Sequence, residues 1–241
     1  MQKNLPFILI AFGVAFLVAF MSLLDIYDTI EHKLLDMRFT SRGLMETRDD
    51  IATLDIDVRA LQTEGKWDPW SREKHIPMVK AAGQHGMDVL AFDIYFIEES
   101  ERQLNYKVLS NIQDSILSMD AVKDLFPDPD FDLSDEAEKA GNILFAQSFK
   151  PQPKKKEKVK ERTDSQNSRL ALMEEKGLFR KVNRDDFSSL FDFYDGEFPV
   201  EIFIDKGAGI YFFQAKADRD GVMRKYPLLG LYEDRLFPSI T

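Results

Sequence analysis

Cysteine is absent from all 241 residues. Disulfides, thiolate nucleophiles and cysteine-ligated zinc therefore have no part in what this chain does. Histidine is scarce: His32, His75 and His85 are the three, and their spacing matches no metal-ligand pattern. Basic charge is also short. The formal net charge is −10, which argues against general nucleic-acid binding, since that needs a basic face. Common catalytic signatures are missing: no HExxH, no GxxxxGK before Ser or Thr, no GxGxxG opening a helix, no GxSxG. Gly207-Ala208-Gly209 is too short to signify a phosphate loop, and no internal repeat is visible. The expectation is a chain with no catalytic residue, no bound metal and no cofactor.

What is present starts with an apolar run. Leu5 to Leu24, LPFILIAFGVAFLVAFMSLL, carries no charge. As a helix it would extend about 30 Å, the thickness of a hydrocarbon core. Pro6 sits in the first turn, where its missing N–H costs nothing. No small-x-small cleavage site follows, so an uncleaved anchor is expected, with residues 1–4 as a cytoplasmic tip. Lys3 precedes the span, and Asp25, Asp28 and Glu31 follow it. The positive-inside tendency then places residues 25–241 outside the cytoplasm, as a single-pass protein of the plasma membrane.

The chain as a whole is 44% apolar, enough for one good-sized core. Apolar residues at Ile26, Ile30, Leu34, Leu35 and Phe39 predict a helix that Gly43 ends. IATLDID (Ile51–Asp57) reads as a buried strand, GKWDPWSR as a loop, the stretch after it as a helix starting near Ser71 or at Pro77 and stopped at Gly86, and MDVLAFDIYF as a second strand. Strand, helix and strand make a right-handed parallel unit. A helix over about 102–125, a short helix in SDEAEKAG and a third strand NILFAQSF follow. From Lys150 to Arg169 the chain is lysine-rich with almost no apolar residues, and a disordered basic insertion is expected there. LALMEEKGLF reads as a helix, VEIFIDKG as strand or short helix, and Gly209–Lys216 as a strand. The last two strands join at Glu233-Asp234. The fold class is α/β: a mainly parallel sheet flanked by helices, with an antiparallel C-terminal edge.

Ligands of parallel α/β sheets lie beyond the carboxyl ends of the strands. Asp55 and Asp57 end the first expected strand, and Asp93 lies late in the second. Such carboxylates can hold a metal or act as acid and base, or they can cap turns and pair with Arg72 or Arg224. WDPWSR brings Trp67, Trp70 and Arg72 together, which suits either a ligand wall or a core plug. Asp218-Arg219-Asp220-Gly221 resembles the opening of a calcium loop. No further carboxylate follows before Glu233, and Arg224 and Lys225 intrude. A structural turn at Asp218, Asp220 and Gly221 fits better.

The order of these motifs resembles the second class of CHASE domains, the cyclase- and histidine-kinase-associated sensory extracellular domains. The matching positions are Asp36, Arg38, Asp57, Gly65, Trp67, Trp70, Arg72, Phe92, Asp93, Phe96, Asp218, Asp220, Gly221, Arg224, Pro227, Pro238 and Ser239. They fall within 34–100 and 209–240. Val58 and Ala60 stand where the family often has Asp and Ser, and the Trp-Pro-Trp run is expanded. The resemblance implies an extracytoplasmic, non-catalytic input module of a bacterial receptor. It responds to a small-molecule or protein signal, with a homodimer as one option for its assembly. Receptors of this kind continue into a nucleotide cyclase or kinase, so a fragment that stops before its output is expected. The candidate ligand residues are Asp57, Trp70, Arg72, Asp93 and Arg224. Two other classes stay open: a metal-dependent hydrolase using Asp55, Asp57 and Asp93, and a surface module that recognises another protein.

Overall fold

A computed structural model describes residues 5–22, 25–66, 70–102, 104, 125–151, 161–187, 190–218 and 220–240. The chain divides into two compact units, Met1–Ala60 and Leu61–Thr241. In the first, α1 (Leu5–Ser22) is an uncharged helix of 18 residues. At 1.5 Å per residue it extends about 27 Å. Among the described residues no helix is long and apolar enough to cross a membrane. The final two residues of the expected span, 23 and 24, lie outside the described residues. Helix α2 (Asp25–Arg42) ends as predicted: the Gly43 N–H donates to the Phe39 and Thr40 carbonyls at φ +75°.

The expected strand Ile51–Asp57 is not a strand. The segment has no regular structure, and Ile51 and Leu54 are 68% and 72% exposed. Apolar residues favour a strand only where a neighbour takes the backbone hydrogen bonds. Here Asp57 instead opens helix α3 (Val58–Glu64), its Oδ1 accepting the Ala60 N–H at 2.9 Å. An acceptor at this place satisfies one of the free amides of the first turn.

The second unit is mixed α/β, with two sheets. Strands β1 (Leu90–Tyr95), β2 (Ile143–Ala146) and β6 (Gly209–Tyr211) form a parallel sheet in the order β1-β2-β6. Strands β3 (Ser148–Pro151), β4 (Arg180–Lys181), β5 (Phe191–Glu197), β7 (Leu229–Tyr232) and β8 (Arg235–Pro238) form a mixed sheet in the order β3-β5-β7-β8-β4. Only the β5–β7 pairing is parallel in that sheet. The parallel unit expected between 51 and 96 is thus built elsewhere, from β1, β2 and β6. The antiparallel C-terminal pair is present: β7 and β8 turn at Glu233-Asp234, with Glu233 at φ +56°.

The expected third strand is two strands. Ala146 pairs with Tyr211 in one sheet, and Ser148 pairs with Glu197 in the other. Gln147 lies between them, its N–H donating to the Tyr211 carbonyl at 2.8 Å. Helix α4 (Ile76–Gln84) follows a 3-10 turn at Arg72–His75, with Pro77 in its first turn. Helix α5 (Pro129–Ala140) is longer than predicted, because Asp128 caps it and Pro129 is pre-set for the first position. The basic insertion was expected to reach 169. Residues 152–160 lie outside the described residues, but helix α6 (Asp164–Glu175) begins well before 169. A capping box starts it: Thr163 accepts from the Gln166 N–H, and Gln166 accepts from the Thr163 N–H. That signal outweighs the polar composition. VEIFIDKG forms the short helix α7 (Glu201–Lys206). The helix expected over 102–125 and Trp67 lie almost wholly, and wholly, outside the described residues.

Aromatic rings dominate the core. Phe92, Phe96, Phe145 and Phe203 form one cluster between the parallel sheet and its helices. Phe149, Phe193, Phe198, Phe212, Tyr232 and Phe237 form the second, on the mixed sheet. Gly230 on β7 makes room for it: a Cβ there would clash with the Phe193 ring and meet Phe212 at 2.9 Å. Gly230→Ala is expected to lower stability by about 1–3 kcal/mol through overpacking. Urea unfolding should show a lower midpoint with an unchanged slope.

Candidate functional site

The loop after α3 is tied down by its own aromatic residue. Trp70 donates its indole N–H to the Gly65 carbonyl at 3.1 Å. Gly65 takes φ +91°, a conformation that suits glycine. The Lys74 ammonium stands 4.9 Å over the indole. His75 lies 6.3 Å from Trp70 and meets Phe92 and Phe96 edge-on, at 5.7 Å each. It is 4% exposed. This burial, helped by the positive field of Arg72, pushes its pKa down to about 4.

Arg72 is held on three sides. Its guanidinium lies 4.6 Å over the Phe96 ring. Nε donates to Asp130 Oδ1 at 3.2 Å, and Nη2 donates to the Glu98 carbonyl at 2.9 Å. Asp130, the residue sequence reasoning missed, also accepts the Ser100 N–H at 2.6 Å and the Ser100 hydroxyl at 2.9 Å. The network joins the loop after β1 to the first turn of α5. Asp130 stands two residues past the cap Asp128, in a run that reads only as a helix breaker.

Arg224 answers the question of the acidic turn. Nη1 and Nη2 donate to both oxygens of Asp220, at 2.9 and 2.7 Å, and Nη1 donates to Asp218 Oδ2 at 3.0 Å. The Asp218 N–H bonds the Val222 carbonyl, the Gly221 N–H bonds the Asp218 carbonyl, and Gly221 sits at φ +84°. The Arg224 guanidinium, and then the Val222 N–H, hold the Asp220 carboxyl well below the usual carboxylate range. The cation of this loop is therefore its own arginine. Among the described residues no group of three or more His, Asp or Glu is placed to hold a metal ion.

Asp93 is different. It is exposed on β1, at a shift in register where four steps of β1 match two of β2, from Ala91↔Leu144 to Tyr95↔Ala146. The shift frees the Phe92 carbonyl, which accepts the Tyr211 hydroxyl at 2.6 Å. Phe92 and Phe96 face His75 and Arg72, whereas Asp93 and Tyr95 take the alternate positions of the strand. Trp70 and Arg72 are therefore brought together on one face of β1, and Asp93 points away from them. Asp57 lies in the first unit, where it caps α3. Two concavities lie apart from these residues. One of about 270 Å³ on α2 is lined by Tyr27, Ile30, Leu34 and Arg38 among others. One of about 680 Å³ beside β4 is lined by Leu178, Phe179, Phe187, Leu229 and Leu236 among others.

Compared with known families, the chain matches the CHASE2 domain model over residues 10–241. No curated protein matches it, and no solved structure does.

Two consequences are measurable. Asp130→Ala leaves Arg72 without its carboxylate and Ser100 without its acceptor, so a loss of about 2–4 kcal/mol is expected in urea unfolding. His75 stays neutral in the folded chain down to about pH 4, whereas the unfolded chain takes up its proton near 6.5. The unfolded state binds more protons between those values. The contribution of His75 is thus complete above pH 6.5 and disappears as pH falls towards 4. Between pH 7 and 4.5 the parent should lose about 2–3 kcal/mol more than His75→Phe. Equal losses in the two proteins would show that the imidazole does not titrate this way.

Proposed function

This chain belongs to the CHASE2 domain family, and from that premise we propose that it is the extracytoplasmic input module of a bacterial transmembrane receptor. CHASE2 domains are sensory and non-catalytic, and they are typically extracytoplasmic parts of signalling receptors. The match over 10–241 is the observation that carries the reading. In this proposal the uncharged run that forms α1 and continues to Leu24 is the membrane anchor, and the body of the chain faces outward.

A sensor signals by binding one of two conformations more tightly than the other. It needs polar groups near a yielding place in the fold. The parallel sheet supplies one at the carboxyl ends of β1, β2 and β6. Asp93, Trp70 and Arg72 lie on or against β1, and Arg224 lies between β6 and β7. Of these, Asp93 on the exposed face of β1 is the proposed contact for a small-molecule or protein signal, with Trp70 and Arg72 bracing the strand from its other face.

The test is a thermal-shift screen of small metabolites on the full chain in detergent micelles. A ligand at about 100 times its Kd adds about 2.7 kcal/mol, a rise on the order of 5–10 °C in Tm for a domain of this size. The shift should disappear on changing Asp93 to Asn. Shifts untouched by substitution of Asp93, Trp70, Arg72 or Arg224 would remove the site. Protease treatment of intact cells tests the orientation, and a chain left uncut in its second unit would contradict it.

A further inference from the structure

The outer face of the parallel sheet carries one carboxylate beside a row of aromatic side chains. Asp93 and Tyr95 stand two apart on β1 and share a face. Tyr95 is in register with Ala146 of β2, which is in register with Tyr211 of β6, so one row crosses the sheet. The Tyr95 ring stacks on Phe213 at 5.2 Å, and Tyr211 meets Phe213 at 6.3 Å. Gln214 donates its Nε2–H to the Tyr95 hydroxyl at 2.6 Å. Its other polar side-chain atom, the acceptor Oε1, is buried without a hydrogen-bond partner among the described residues. Tyr226 is 41% exposed. The Asp93 charge is felt by Tyr95, Tyr211 and Tyr226 alike: in each, burial raises the phenol pKa most and the carboxylate adds to it.

Charge and polarity here point one way. Asp93 forms no hydrogen bond or ion pair with any described residue. Arg72 and Arg224, the cations nearest in the sequence motifs, are committed to Asp130 and to Asp218 and Asp220. An uncompensated carboxylate, ring faces and an unused amide oxygen repel anions and attract cations. A metal ion would need more carboxylates than one. An alkylammonium ion meets all three features: its charge pairs with Asp93, its N–H groups suit Asp93 and Gln214 Oε1, and its methylenes lie on the rings.

We infer that this face, centred on Asp93, Tyr95 and Gln214, binds the primary ammonium group of a small organic amine. The inference deepens the sensor reading and rests on it. The register shift in β1 is the place where such binding would act. It holds Asp93, and it also frees the Phe92 carbonyl that Tyr211 caps, so a ligand on Asp93 pulls on the one irregular step of the sheet.

Titration of the full chain with 1,4-diaminobutane tests the idea, read by calorimetry with tetramethylammonium as the comparison. Saturable binding is expected, weakened at least tenfold by Asp93→Asn and several-fold by Gln214→Leu, with tetramethylammonium bound at least tenfold more weakly than the diamine. Asp93 is exposed, so Asp93→Asn should keep the parent Tm without ligand. Affinity unchanged in Asp93→Asn, or equal affinity for tetramethylammonium, would overturn the site. Absence of saturable diamine binding would do so as well. A neutral or anionic metabolite that still raised Tm in the screen would then leave the sensor reading standing without this ligand.

Discussion

Phe145 and Phe149 sit on one nearly continuous extended segment, and the second unit is organised around that fact. Phe145 packs on Phe92, Phe96 and Phe203, and Phe149 packs on Phe193, Phe212, Tyr232 and Phe237. The backbone between them leaves the parallel sheet after Ala146 and enters the mixed sheet at Ser148. One short run thus belongs to two sheets, and both rings enter one hydrophobic core. The hinge residue carries a cost. Gln147 is fully buried, and neither its side-chain oxygen nor its nitrogen has a hydrogen-bond partner among the described residues. A buried amide left unpaired costs on the order of 1–3 kcal/mol. The aromatic contacts on both sides must exceed that, since rings of this size dominate core energetics.

How far the fold is legible in the sequence varies with the kind of signal. The β7–β8 hairpin is legible because two apolar runs flank Glu233-Asp234, and local turn chemistry suffices. Helix α4 and the end of α2 are legible for the same reason, with Pro77, Gly86 and Gly43 as punctuation. Ile51–Asp57 misleads because an apolar run states a wish for burial and does not name a partner. Its last residue does carry a local signal, and that signal, an Asp before Val58-Arg59-Ala60, is a helix cap. β5 escapes notice because FDFYDGE mixes aromatics with acids and glycine. Its carboxylates are held by Lys150 on β3, which reaches Asp195, and by Arg184 of a 3-10 turn, which reaches Asp192. The cross-strand pairing with Lys150 is non-local and invisible to a window scan.

The candidate site divides along the same line. Motif matching finds Arg72, Arg224, Asp218 and Asp220, and the structure shows these charges largely compensating one another or a residue such as Asp130. Charged side chains removed from water are stable only with a partner, so a motif rich in Arg and Asp is often a self-contained brace. Arg224 has a side chain only 3% exposed, and its two acids stand on the same turn. That geometry gives the turn rigidity and removes any need for a metal. Sequence position could not separate braces from free groups, because both use the same residue types.

Asp93 is the exception among the five, exposed on the outer face of β1. A strand presents alternate residues to opposite faces, so β1 has Phe92 and Phe96 in the core and Asp93 and Tyr95 outside. The inner rings press on His75 and Arg72, which brace the loop after α3 and the start of α5. Any displacement of β1 at Asp93 must therefore be matched by the rings behind it, since close-packed cores transmit strain and do not absorb it. The register shift lowers the resistance at that point, for the ladder there lacks regular bonds and relies on the Tyr211 hydroxyl. A carboxylate without a partner among the described residues on the outer face and a rigid charged brace on the inner face thus lie on opposite sides of a single strand.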